Sequence, residues 1–103
     1  MKPFIPYDDV LKGVLKDPMF SARYLNSVLE EGDWDLFLLA LRNVAMVHGG
    51  VGKLAKRSKL HRVHLYRMLS KKGNPSMRNI MDILRALGFG MAIQAPRKLD
   101  RAA

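Results

Sequence analysis

Val51-Gly52-Lys53-Leu54-Ala55-Lys56-Arg57-Ser58, then Lys59-Leu60, then His61-Arg62-Val63-His64-Leu65-Tyr66-Arg67-Met68-Leu69 read as a helix, a tight turn and a second helix. Packing dictates residue type at fixed places in such a corner. The first helix needs a small side chain where the second crosses it closely, and Ala55 stands there. Apolar residues must anchor the turn and the inner face of the second helix; Leu54, Leu60, Leu65 and Met68 have the spacing to do so. His61, Arg62, Val63, Tyr66 and Arg67 then point away from the core. Lys59 occupies the turn position where the backbone tends to be left-handed and glycine is the ordinary choice. Either the lysine is held in that conformation at a cost of about 1 kcal/mol, or the turn takes a different shape.

The charge of the chain gathers around this corner. Between His48 and Met81 there are nine Lys or Arg residues and no Asp or Glu. Residues 1–47 carry five basic and seven acidic groups, whereas residues 48–103 carry thirteen basic and two acidic ones. The net charge of +9 therefore belongs to the second half, and it predicts a polyanionic partner. A two-helix corner is also the commonest device for placing a helix in the DNA major groove. The arginine fork of Arg62 or Arg67 matches the two acceptors of guanine, and Val63 can touch a thymine methyl group. His61 and Tyr66 share that outward face, Tyr66 either stacking on a base or lying on a phosphate. Lys53, Lys56, Lys71 and Lys72 suit phosphates, as do the backbone amides of Gly73 and Asn74; such contacts set register and affinity without reading sequence. Neutralising about six phosphates gives a log–log salt slope near about −5.

The flanking sequence completes an all-α reading of five to six helices. Prolines 3 and 6 make residues 1–7 an extended arm. Asp8 or Asp9 caps a short helix to about Lys16, and Asp17-Pro18 opens a second that Gly32 stops. Asp33 caps a third, from Trp34 to about His48, with Leu36/Phe37, Ala40/Leu41, Val44 and Val47 as its apolar stripe. After the corner, residues 70–76 form a basic loop rich in breakers, and a last helix covers about Met77 to Leu87 before Gly88. Phe89, Met91 and Ile93 alternate in a short C-terminal strand over residues 89–95. One domain of 103 residues results: a helical extension at 8–32, a core at 33–88 and the strand. A single strand needs a partner edge, supplied either by residues 3–6 or by a second subunit in a twofold dimer. The methionines, at apolar helical positions, are expected to fill the core.

Several chemistries are excluded. The chain has no cysteine, so disulfides and thiolate catalysis are absent, in keeping with the cytoplasm. Its longest apolar run, Leu36 to Leu41, is far shorter than the roughly 20 residues of a membrane span. Lys2 is followed at once by Pro3, without the apolar region of a signal peptide. Gly49-Gly50-Val51-Gly52-Lys53 echoes a phosphate-binding loop, but Val47 and Leu54 replace the motif's first glycine and its hydroxyl. His61 and His64 lie one helical turn apart with no third ligand, so no metal site is expected. The carboxylates at helix ends are explained by capping, and no nucleophile–base pair is present. Neither an enzyme nor a cofactor is expected.

The similarity extends beyond the corner. Tyr24-Leu25-Asn26, Leu29-Glu30-Glu31-Gly32-Asp33, Leu36 to Arg42, Leu54-Ala55, Leu65-Tyr66, Leu69-Ser70, Gly73-Asn74-Pro75 and Leu84 to Gly88 together resemble the addiction-module antidote family. Members are small bacterial proteins with a phage-repressor-like (Cro-type, XRE) helix-turn-helix domain, and the resemblance runs from about Asp9 to Ile93. It implies a cytoplasmic antitoxin that neutralises a small co-encoded toxin and represses its own operon as a homodimer on a palindromic operator. Two other readings stand beside it. One is a phage-type regulator without a toxin; the other is a toxin-masking interaction module that works through its acidic first half. RNA binding is disfavoured because no aromatic stacking platform is visible.

Overall fold

The computed structural model describes residues 7–70 and 73–95. Within them the chain forms six helices: α1 (Tyr7–Leu15), α2 (Pro18–Glu31), α3 (Trp34–Val47), α4 (Gly50–Ser58), α5 (Arg62–Met68) and α6 (Met77–Ala86). The start signals behave as local chemistry dictates. Asp17 accepts a hydrogen bond from the Met19 amide at 3.0 Å, and Pro18 follows it at the first helical position. The Asp33 carboxylate accepts from the Leu36 amide at 3.0 Å, and the Ser76 hydroxyl from the Asn79 amide at 3.1 Å. Each satisfies a donor that the first helical turn leaves unpaired. Gly32 closes α2 at φ 76°, where a side chain would be strained.

α3 is the central element. Its stripe is wider than a single seam, burying Phe37, Leu38, Ala40, Leu41, Val44 and Ala45, and it packs against α1, α2 and α4. α4 in turn packs against α5 and α6. One cluster of buried side chains, from Leu15 through α3 to Leu65, Leu69 and Ile83, joins the two groups of helices.

A polar clasp lies at the junction of α1, α2 and α3. The Leu15 carbonyl, at the end of α1, accepts from the buried Ser21 hydroxyl at 2.7 Å. The same oxygen lies 2.8 Å from Nε2 of His48, so that nitrogen carries the proton. His48 also meets the Phe89 ring edge-on, tying the chain beyond α6 to the same place. Periodicity gave no sign of this clasp, because serine and histidine do not belong to an apolar pattern.

Several expectations need correction. No strand forms among the described residues: 89–95 run without a ladder, because alternation supplies a face but not the partner edge that a strand requires. Residues 3–6, one of the two edges considered, lie outside the described residues. Tyr7, assigned to the arm, opens α1, which places Asp8 and Asp9 inside its first turn. Nor do the methionines fill the core: Met19, Met46, Met77, Met81 and Met91 are exposed and Met68 is only half-buried, because leucine, isoleucine and valine already occupy the inner positions. Val10, Val14, Phe20 and Leu29 likewise lie on outer flanks.

Lys59 has φ 61° and is the one non-glycine residue with positive φ among those described. Lys59→Gly is expected to raise stability by about 0.5–1 kcal/mol, since glycine relieves the left-handed strain but adds unfolded-state entropy. A higher urea midpoint with unchanged slope is the expected reading, and Lys59→Ala gives no such gain.

Candidate nucleic-acid interface

The surface begins with two glycines. Gly49 and Gly50 adopt φ 111° and 83°, turning the chain out of α3 and directly into α4. A helix, not a strand, precedes them, which removes the structural context of a phosphate-binding loop. Val51 and Leu54 bury the inner face of α4. At its end the Ser58 hydroxyl donates to the Leu54 carbonyl at 2.7 Å and accepts from the Leu60 amide at 3.3 Å, so one side chain holds both sides of the turn.

Residues 59–61 connect α4 to α5, and His61 is the cap residue of α5 rather than its first turn. α5 has only seven residues, too few to persist by its own hydrogen bonds. Leu65 is fully buried, Leu69 is nearly so, and Met68 and Leu60 are half-buried against the same cluster. The Met68 sulfur accepts from the Asn79 side-chain amide of α6 at 3.2 Å. Ala55 of α4 is half-buried against the same cluster.

With its inner side held, α5 turns the expected side chains outward. His61, Arg62, Val63, Tyr66 and Arg67 are all exposed, Val63 at 55% and Tyr66 at 42%. Exposed Lys53 and Lys56 lie on α4, and Asn74 is exposed beyond the loop. The Arg62 guanidinium sits 5.8 Å from the centre of the Tyr66 ring, a cation–π geometry that orders a long side chain on the surface. The His61 and His64 rings are 5.6 Å apart. Among the described residues no three His, Cys, Asp or Glu side chains gather as a metal site would require. Lys71 and Lys72 lie outside the described residues.

Gly73 departs from expectation. Its amide donates to the Ser70 carbonyl at 2.9 Å and is therefore engaged within the loop instead of offered to a phosphate. The glycine is required by proximity: a Cβ would run into the Met68 carbonyl at the end of α5. The next buried residue, Pro75, leads into the Ser76 cap of α6. The spacing of turn residues marked this loop but not the close backbone approach inside it.

Chemically, this face offers planar guanidinium donors, an aromatic ring, an apolar contact and flanking ammonium groups, with no carboxylate in the intervening sequence. That combination suits a phosphodiester backbone and base edges.

The sequence model of the family described as "Probable addiction module antidote protein" matches residues 9–95. An uncharacterized protein of Haemophilus influenzae is 32% identical over 74 residues, covering 72% of this chain and 75% of its own length. No solved structure matches.

Gly73→Ala should displace the end of α5. It is expected to cost about 2 kcal/mol or more in denaturant unfolding. Asn74→Ala, at an exposed site, leaves stability within about 0.5 kcal/mol of wild type.

Proposed function

We propose the following reading for this chain, which belongs to the addiction module antidote family: it is an antitoxin that binds DNA sequence-specifically and represses its own operon. The observation that carries the DNA half is the outward face of α5. Four exposed side chains of the types that contact base edges and adjacent phosphates, Arg62, Val63, Tyr66 and Arg67, project from a helix held on its inner side by fully buried Leu65, with His61 exposed at its cap. In a phage-repressor-like helix-turn-helix arrangement, α5 enters the major groove through Arg62, Val63, Tyr66 and Arg67, with His61 at its leading end. Lys53 and Lys56 grip the backbone, joined by Lys71, Lys72 and Asn74 from the following loop. Occupation of the operator then excludes polymerase. A homodimer would set two α5 helices about 34 Å apart, one turn of DNA, on a palindromic site.

The antitoxin half rests on the family. An antidote acts on a toxin, and a small protein toxin encoded beside this chain is the partner proposed. No catalytic step is required by this account. No helix among the described residues is long and apolar enough to cross a membrane, and the reading places the protein with bacterial DNA in the cytoplasm.

A second reading, toxin masking by the N-terminal half with little role for DNA, is favoured by one observation. Val10 and Val14 of α1 and Leu39 and Met46 of α3 are apolar yet exposed, each by more than a third of its surface, on the acidic half of the chain. The two readings are compatible if they use separate faces.

An electrophoretic shift on the chain's own upstream region tests the DNA half. Wild-type protein is expected to retard that fragment, with a log–log salt slope near about −5. Arg62→Ala with Arg67→Ala abolishes specific retardation, at about 1–3 kcal/mol for each lost bidentate contact. The same double variant still rescues growth of cells expressing the toxin. Loss of both activities from a folded variant contradicts the separation of surfaces; unimpaired retardation contradicts the assignment of α5.

A further inference from the structure

We infer that Gly52 of α4 and Tyr66 of α5 are positioning residues that hold the Arg62 guanidinium in a preset seat. Arg62 is thereby the specificity-determining side chain of the face, and its target is the acceptor edge of a guanine. The inference rests on the DNA-binding reading above and deepens it by naming which arginine reads sequence and what aims it.

The seat has two walls from two helices. Arg62 is the first residue of α5, and Tyr66 follows it one helical turn later on the same side. The guanidinium carbon lies 5.8 Å from the centre of the Tyr66 ring, within the range of a cation–π contact. α4 supplies the other wall. Gly52 is half-buried there, and a Cβ at that position would lie 4.0 Å from the same guanidinium carbon, an ordinary van der Waals distance. The arginine therefore rests on the ring of one helix and on the bare backbone of the other. A side chain longer than alanine at position 52 competes for the volume that the guanidinium fills. Because both helices contribute, the seat exists only when the corner is closed through Ser58 and the turn after it.

Preset order matters most where the geometry of contact is demanding. A long side chain gives up rotamer entropy when it docks, and ordering it beforehand removes part of that cost. A phosphate can be met by a mobile ammonium acting as a point charge. Two parallel hydrogen bonds to N7 and O6 of guanine instead need a planar fork held at one angle. Placement agrees with the second case, since the N-terminal residues of a helix lying in the major groove are those that reach base edges. No Asp or Glu occurs between His48 and Met81 in the sequence, so neither helix brings a carboxylate of its own to the fork. Tyr66 is 42% exposed; more than half of its surface lies back on the protein. Its ring backs the arginine, and the hydroxyl is not needed for that.

Two measurements test the inference. In the free protein, the Arg62 side-chain protons report the seat through the ring current of Tyr66. Their resonances are expected upfield of the ordinary arginine positions in wild type and Tyr66→Phe, and at the ordinary positions in Tyr66→Leu and Gly52→Leu. With DNA, the probe is a randomised duplex library whose bound fraction is sequenced. Wild type is expected to enrich guanine at one position of its site. Arg62→Ala removes that preference, a loss of about five- to 150-fold, which is the range for one bidentate contact. Tyr66→Leu and Gly52→Leu lower the preference at the same position by at least about fivefold, while other positions and the salt slope stay as in wild type. Tyr66→Phe and Gly52→Ala retain it. Circular dichroism checks that each variant is folded; should Gly52→Leu fail to fold, the contrast between Tyr66→Leu and Tyr66→Phe carries the test. Equal weakening at all positions overturns the inference, because the two residues then act only on the fold. So does a guanine preference that survives Arg62→Ala. A uniform loss with a shallower salt slope in Arg62→Ala overturns it as well, since the arginine then meets a phosphate. Arg62 protons at ordinary positions in wild type overturn the seat itself. A wild type that enriches no sequence, even with the upfield shift present, brings down the DNA reading and this inference with it.

Discussion

The structure depends on burying Leu65 and Leu69. A seven-residue helix has too few internal hydrogen bonds to offset the entropy of ordering it. α5 exists because these two leucines, with half-buried Met68 and Leu60, sit in the core cluster that α5 shares with the other helices. Everything outward follows from that anchorage. The same backbone that places Leu65 inside must place Arg62, Val63 and Tyr66 outside, within one turn on either side. The Ser58 clasp and the left-handed Lys59 then fix the angle at which α4 hands the chain to α5.

Positive and negative charge are divided between the two halves of the chain. The lysines and arginines of α4 and α5 are exposed, while Asp17, Asp33 and Asp35 sit at the starts of α2 and α3, where the helix dipole favours a negative charge, and Glu30 and Glu31 close α2. Exposed apolar side chains occur on α1 and α3 (Val10, Val14, Leu39 and Met46), at Trp34, Met77 and the segment after α6, and at Val63 and Tyr66 of α5. On the proposed reading, DNA and a toxin would be met by separate surfaces. The division of side chains is consistent with that reading.

Much of the helical framework was legible in the sequence because its signals are local. Asp17-Pro18, Asp33 and Gly32 act within four residues of themselves, and the spacing of Leu54, Leu65 and Met68 was enough to orient α5. At Lys59 the sequence left two turn shapes open, and the structure takes the left-handed one. Long-range features were not legible. The Leu15–Ser21–His48 clasp joins residues up to 33 positions apart, and nothing in the periodicity of either helix announces it. The methionines misled because apolar spacing defines a stripe without saying which flank of it is covered. The strand over 89–95 misled because alternation describes side chains, whereas a strand is made by hydrogen bonds to something else. Within the candidate site, residue types predicted the outward face of α5 but not the close approach at Gly73 that takes its amide out of play.

The central claim, that α5 and the start of α4 form the surface that meets nucleotides, is tested most directly by amide chemical shifts. Labelled protein is titrated with a short mixed-sequence duplex at low salt, where contact with the phosphate backbone dominates binding. The account predicts that perturbed amides concentrate in residues 50–70 and 73–74 and that the changes fade as salt is raised. Perturbations confined to α1, α2 and the first turns of α3, or none at all, would contradict it.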